Sequence, residues 1–229
     1  MKLYHATSAG SGQVRGEIYI YHRNTDAVVE RKITDISSEQ SRFRLAKYIA
    51  VKELSVLYER AYVALGKNAA MIFYIHHLML DDETFTDSVC GIISEQKINA
   101  EAAVAQTADM LSAVFTDMSD VYMRERGADV RDICERVIAI LKDSGQPYPR
   151  PDKPSIILTA ELSPSEILLA DKGMITGLIM TEGAANSHAS ILAQKMNIPA
   201  VCRAKIPKDE LSCGKSVLLD ADNGIIYTV

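Results

Sequence analysis

The sequence predicts an α/β domain split by an inserted all-α helical bundle, on three observations. All seven prolines lie at or beyond Pro147, and of the twelve glycines only Gly66, Gly91 and Gly127 fall between residues 36 and 144. Those two residue types penalise helix interiors most, so the stretch between permits long helices. Within it, apolar residues recur every three or four positions, the period of one helical face. At both ends of the chain the pattern changes to short β-branched runs and turns, so the N-terminal strands are expected to join a C-terminal sheet.

The elements follow in order. Residues 3–4 and 17–21 read as strands around the loop Ser8-Ala9-Gly10-Ser11-Gly12. Phe43, Ala46, Ile49, Leu54, Leu57, Ala61 and Leu65 mark one helical face. Ala103, Thr107, Met110, Val114, Met118 and Val121 mark a second, and Val130, Ile133, Val137 and Leu141 a third. Gly66, Asp81-Asp82-Glu83 and Gly127 punctuate this run, giving four or so helices with one broken near residue 81. The proline-rich segment 145–151 is a linker, since repeated proline stops a helix and favours extended backbone. Beyond it, Ser155–Thr159 reads as a strand, and Ser163-Pro164-Ser165-Glu166 as a capping box with proline at the first helical position. Residues 174–181 form a buried strand, and Pro199-Ala200-Val201 begins another. Residues 215–220 and 224–229 flank the hairpin signal Asp222-Asn223-Gly224. The expected domains are 1–22 with 148–229, and 30–146.

Composition narrows the function classes. The 229 residues are 48% hydrophobic and 24% charged, the profile of a soluble globular protein. A net charge of −5 disfavours a general nucleic-acid binder. The longest mostly apolar stretch, residues 71–80, contains His76 and His77 and is too short for a membrane span. The start, Met1-Lys2 followed by Tyr4-His5, does not resemble a signal peptide. Cys90, Cys134, Cys202 and Cys213 have no CxxC spacing, so reduced cytoplasmic thiols are expected, with no metal site and no disulfide. Residues 36–149 carry 17 acidic and 12 basic side chains, and the remainder 13 of each, so the negative excess belongs to the helical part. It is either a solvated surface or an acidic docking face for a basic protein.

The densest cluster of chemically useful residues runs from Thr181 to Ser190 and contains Gly183, Ser187 and His188. Small residues such as Gly183 let a loop turn tightly and bring its backbone close to a ligand. Ser187 is a good N-cap, which puts His188 in the first turn of a helix. Unpaired amides and the positive end of the helix dipole there favour an anion over an imidazolium. A neutral histidine at that point can act as a nucleophile. A phosphoryl group taken onto its ring would meet the amides and the hydroxyls of Ser187 and Ser190. The bland alternative is a polar surface histidine. A serine-hydrolase triad is disfavoured, because Ser187 and His188 are neighbours and no GxSxG elbow exists. No second ligand sits at zinc spacing, and no GK[ST] signature marks a nucleotide loop.

Residues 183–201, with Ser187-His188-Ala189-Ser190-Ile191-Leu192-Ala193 and Asn197-Ile198-Pro199-Ala200, resemble the phosphohistidine signature of the phosphoenolpyruvate-utilising enzymes. That family includes pyruvate phosphate dikinase, phosphoenolpyruvate synthase and Enzyme I of the bacterial sugar phosphotransferase system. The run Arg124-Glu125-Arg126-Gly127-Ala128-Asp129-Val130-Arg131-Asp132-Ile133 resembles the helical-domain motif of Enzyme I. Ile72-Phe73, His76 and Leu78-Met79-Leu80-Asp81-Asp82-Glu83 match that domain's second helix, and Leu162-Ser163-Pro164-Ser165-Glu166 its segment before the second α/β strand. The similarity runs in order along essentially the whole chain.

The resemblance implies the N-terminal half of Enzyme I: a swivelling α/β phosphohistidine domain with an inserted helical domain that binds the phosphocarrier HPr. His188 would accept a phosphoryl group originating in phosphoenolpyruvate and pass it to a histidine of HPr or an HPr-like protein. Ser187, Ser190 and Gly183 would stabilise the phosphoryl group. Arg126, Arg131, His76, Asp82 and Glu83 would contribute to docking, although the two arginines read equally well as partners of Asp129 and Asp132, and His76 as a packed helix histidine. The family's phosphoenolpyruvate-binding, magnesium-dependent and dimerising domain would lie beyond residue 229. This chain itself would then hold no cofactor and would exchange phosphoryl groups with HPr without using phosphoenolpyruvate. The chain departs from the family pattern at Glu182 and Asn186 (usually glycine and threonine), Ile167 (a histidine-orienting threonine), Gln194 (arginine) and Lys67-Asn68-Ala69-Ala70 (an acidic cluster). These departures keep open a paralogue serving a different phosphocarrier, or a module that binds an HPr-like protein without turnover. A dikinase-like swivelling domain is disfavoured by the 124–133 motif.

Overall fold

Sheet pairing ties the two ends of the chain together. The computed structural model describes the backbone of residues 2–23, 27–116, 121–144, 148–207 and 210–228, and their side chains except 116 and 121–126. It divides into two units, Met1–Asn24 with Pro147–Val229, and Thr25–Gln146.

The first unit is an eight-stranded sheet in the order β1-β8-β7-β3-β4-β5-β6-β2. Its strands are β1 (Leu3–His5), β2 (Thr7–Ser8), β3 (Gln13–Ile20), β4 (Ser155–Thr159), β5 (Ile175–Met180), β6 (Ala200–Cys202), β7 (Ser216–Asp220) and β8 (Ile225–Thr228). The four central strands β3-β4-β5-β6 are parallel, and the flanking pairs are antiparallel. Parallel strands need crossovers that cover the sheet. Here α6 (Pro164–Leu169) joins β4 to β5, and α7 (His188–Lys195) joins β5 to β6. Strand β4 is accordingly buried at every position. Ile18, Ile156, Ile179, Val201, Val217, Leu219 and Ile226 form the core. The capping box is present, with both reciprocal bonds between Ser163 and Glu166 and proline in the first turn. The β7–β8 hairpin turns through Gly224 at φ 65, where a Cβ would lie 2.5 Å from the Ala6 carbonyl oxygen, so that glycine is required. Strand β2 pairs with the end of β6, although its two polar residues carry no apolar alternation that marks a strand.

Among the described residues the second unit contains five helices: α1 (Ile36–Leu65), α2 (Lys67–Asp81), α3 (Glu83–Gln96), α4 (Ala100–Thr116) and α5 (Val121–Leu141). Asp35 caps α1 by accepting from the Ser38 amide at 2.9 Å. Gly66, at φ 84, separates α1 from α2. The break near residue 81 falls at Asp82, whose extended backbone lets its carboxylate accept from the Thr84 amide at 2.7 Å and cap α3. That bond holds the Asp82 carboxyl below its usual range. Arg42 of α1 pairs with the buried Glu101 of α4, reaches Glu39 at 2.7 Å and donates to the Leu141 carbonyl of α5 at 2.8 Å. Burial pushes the Glu101 carboxyl up, but the bonds from Arg42, the backbone and Asn99 outweigh it and leave a net downward shift. Phe43, Phe73, Leu80, Val89, Ile93, Val104, Ile133 and Val137 fill the interior. No helix among the described residues is long and apolar enough to cross a membrane.

The structure corrects three sequence expectations. Ile49 faces outward and Ala50 takes its place in the core. Met110 and Val114 are exposed, because α4 is enclosed only near its start. Beyond Ala108, Ser112 is the buried position, donating to the Gly127 carbonyl at 3.1 Å. Gly127 therefore lies inside α5 and interrupts nothing. The side chains of Met118 and Val121, and residues 145–147 of the linker, fall outside the described residues.

Phe73 is fully buried between helices. Phe73→Ala is expected to cost about 3–5 kcal/mol in chemical denaturation followed by helical circular dichroism, the range for emptying an aromatic core position.

Candidate functional site

The carboxyl ends of the parallel strands β4, β5 and β6 meet on one edge, where open α/β sheets commonly hold ligands. The β4–β5 pairing continues past the strand ends. The Thr181 amide donates to the Thr159 carbonyl at 3.0 Å, and the Glu182 amide to the Ala160 carbonyl at 2.9 Å. The chain then turns at Gly183, φ 81, beneath Glu161: a Cβ there would lie 2.9 Å from Glu161 Oε1. From the end of β6, Arg203 Nε donates to the Gly183 carbonyl at 3.0 Å.

Three hydrogen bonds fix the remainder of the loop. Ser187, in extended backbone, caps α7 by accepting from the Ser190 amide at 3.2 Å. Its hydroxyl donates to Ser190 Oγ at 3.1 Å, and Ser190 Oγ donates to the Ala184 carbonyl at 2.8 Å. His188 is the first residue of α7 and is partly exposed. An imidazole at this point stands beside the amide-rich, positive end of the helix. Gln194 Nε2, farther along α7, donates to the Ala9 carbonyl at 3.1 Å and ties the helix to the N-terminal loop.

A second polar cluster lies on the same unit and was not legible in the sequence. The Glu166 carboxylate is buried and accepts from Tyr21 Oη at 2.8 Å, Arg23 Nε at 2.9 Å and the Ser163 amide at 2.7 Å, with Arg23 Nη2 completing a forked ion pair. Burial, with the Glu166 charge, pushes the Tyr21 phenol well above its usual range. Burial also pushes the Glu161 carboxyl up, against the pull of Arg23 and with added repulsion from Glu182 and Glu166. Tyr21 and Arg23 end the N-terminal strand region 145 and 143 residues from Glu166, so no local signal marks them.

The expected site residues separate. Gly183, Ser187 and His188 come together on the loop. Ser190 is fully buried with its hydroxyl bonded to Ala184, so it braces the loop instead of presenting a donor to a phosphoryl group. Ile167 is buried and apolar. In the helical unit Asp82, Glu83 and Arg131 are exposed, whereas the side chain of Arg126 lies outside the described residues. His76 is fully buried and is not a surface residue. Its Nε2 lies 3.3 Å from Asp129 Oδ1 and its Nδ1 3.5 Å from Asp132 Oδ2. The two aspartates thus face a histidine of another helix. Among the described residues no group of His, Cys, Asp and Glu is arranged to hold a metal ion.

Comparison with known proteins agrees with this layout. Residues 5–126 match the family model described as PEP-utilising enzyme, N-terminal, and residues 151–224 that of the PEP-utilising enzyme mobile domain. The chain belongs to the PEP-utilising enzymes. A phosphoenolpyruvate-protein phosphotransferase of Listeria monocytogenes is 31% identical over 220 residues, covering 95% of this chain and 38% of the relative. That of Bacillus subtilis is 35% identical over 201 residues, covering 87% and 35%. This chain therefore spans less than two fifths of these two relatives. Two solved structures share the fold at 24% identity: the NMR structure of an Enzyme I protein (nEIt), with a TM-score of 0.73 over 98% of this chain and 92% of the other, and an N-terminal domain of Enzyme 1 - Nitrogen, with 0.68 over 98% and 93%. The family fold is thus an α/β domain with an inserted helical domain, as the sequence patterns required.

The upward shift of Glu161 sets a pH test. Because its folded pKa is raised, ionisation of Glu161 costs stability as pH rises through the folded value, while below its ordinary pKa of 4.5 both states are protonated and nothing is lost. Glu161→Gln is expected to raise the melting temperature at pH 7, with the difference from wild type closing below pH 4.5.

Proposed function

We propose that this chain is a phosphoryl-transfer half of a phosphoenolpyruvate-protein phosphotransferase, carrying the phosphoryl group on His188 between a donor and an HPr-like phosphocarrier. The observation that carries this reading is the position of His188, partly exposed as the first residue of a serine-capped helix at the carboxyl edge of the parallel strands. An imidazole nitrogen there can attack phosphorus while the amides of the helix start face the charge that develops on its oxygens. In exchange with a phosphorylated carrier, the new P–N bond to His188 forms as the P–N bond to the carrier's histidine breaks. The His188 ring loses its remaining N–H proton, and the departing imidazole gains one. Phosphoenolpyruvate and magnesium chemistry would belong to the part of the relatives that this chain does not span.

The helical unit would dock the carrier. Exposed Asp82 and Glu83 begin α3, exposed Leu78 precedes them on α2, and Arg131 stands on the surface of α5. The net negative charge of residues 36–149 favours a basic partner and accelerates its approach. Four unpaired cysteines fit the reducing cytoplasm in which such transfer would run.

A binding module without turnover is favoured by one observation, the pair of carboxylates Glu161 and Glu182 beside the loop that would receive a dianion. One assay separates the two readings. Incubated with radiolabelled phospho-HPr, the chain is expected to acquire acid-labile, base-stable phosphate, and His188→Ala to lower labelling about 100-fold or more. Binding without label would establish the module, and label surviving His188→Ala would place the chemistry on another residue.

Glu83→Lys with Arg131→Glu tests the docking face. The pair is expected to raise KM for the phosphocarrier about tenfold with kcat little changed, since exposed interface charges act mainly on association. An unchanged KM would move the carrier to another surface.

A further inference from the structure

Helix α1 buries Phe43, Ala46, Ala50, Leu54, Leu57 and Ala61 on one side and carries a second apolar line on the other. Leu45 is 61% exposed, Ile49 38%, Val56 52% and Val63 85%. With the exposed Lys52 and Glu59 between them, these positions are spaced four, three, four, three and four residues apart. That is the heptad spacing of a coiled-coil seam, sustained over about 27 Å of helix. Tyr48 and Tyr62, 59% and 48% exposed, line one flank. Soluble proteins seldom leave so long a run of large apolar side chains uncovered.

The charges within the seam identify what covers it. Lys52 and Glu59 stand two helical turns apart and cannot reach each other, and Glu59 has no ion-pair partner among the described residues. A parallel copy would set Lys52 against Lys52 and Glu59 against Glu59. An antiparallel copy, related by a two-fold axis level with residue 54, sets Leu45 against Val63, Ile49 against Glu59 and Lys52 against Val56. Each Lys52 then neighbours the other copy's Glu59 in the next layer, twice by symmetry, and Tyr48 runs beside Tyr62. An antiparallel second copy brings the opposite charge close to each of these two places, with Leu45 and Val63 meeting as apolar layers and Ile49 and Val56 packing on the aliphatic stems of Glu59 and Lys52. Polar residues at seam positions fix orientation and register at some cost in affinity.

We propose that two copies of this chain associate through an antiparallel pair of α1 helices. The test is sedimentation velocity of the full chain from about 1 to 300 μM, with circular dichroism melts to verify folding of each surface variant. A reversible monomer–dimer equilibrium is expected. Lys52→Glu and Glu59→Lys should each weaken it about tenfold or more by placing like charges together, and the double reversal should restore it to within a few-fold of wild type. A monomer at every concentration overturns the proposal and leaves the seam to a different protein. A dimer insensitive to either single reversal overturns it too, because another surface then holds the copies. Weakening by both singles without rescue in the double excludes the antiparallel register.

Discussion

The hydrogen-bond chain from Ser187 through Ser190 to the Ala184 carbonyl is the constraint on which the candidate site depends. It starts α7 at one residue and not its neighbour, and so determines that His188 stands at the head of the helix. One residue earlier or later would turn the ring about 100° around the helix axis. Because Ser190 is buried and committed to this bracing, the loop holds its form without help from a ligand. Preorganisation of this kind is what a transient phosphohistidine requires, since donors that must first rearrange lose much of their electrostatic value.

The surroundings of that loop are less purely cationic than an anion site would suggest. Arg203 holds the Gly183 carbonyl, and Arg23 is engaged by Glu166, while Glu161 and Glu182 bring carboxylates close by. The phosphoryl group would therefore rely on helix-start amides more than on side-chain cations. Such a balance would favour release as much as capture, as the proposed phosphoryl carrier needs. The buried Glu166, with four donors around it, serves a different end by locking the strand from the N-terminal segment to the helix that follows β4.

In the helical unit the polar interior is structural. His76 lies between Asp129 and Asp132, and Arg42 joins α1 to α4 and to the end of α5. Residues of a recognised sequence motif thus divide into those that hold helices together and those that face outward. The acidic start of α3 and the apolar line of α1 are both outward-facing, but their chemistry differs: one would attract a partner by charge, the other by removal of apolar surface from water.

Sequence alone determined most of the elements and their order. Ser163-Pro164-Ser165-Glu166 specified a capped helix, Asp222-Asn223-Gly224 a hairpin and Ser187-His188 a helix start, because each depends on bonds made within three or four residues. The apolar steps through Val130, Ile133 and Val137 specified a buried face for the same local reason of helical period. Tertiary structure alone decided which face found a neighbour. Ile49, Met110 and Val114 fit the period yet remain exposed, and His76 is hidden by aspartates from another helix. Tyr21 and Arg23 acquire their role only when β3 lies beside β4 and brings them to Glu166. Local bonding leaves its mark in residue spacing, whereas burial and ion pairing between distant segments depend on packing, which spacing does not encode.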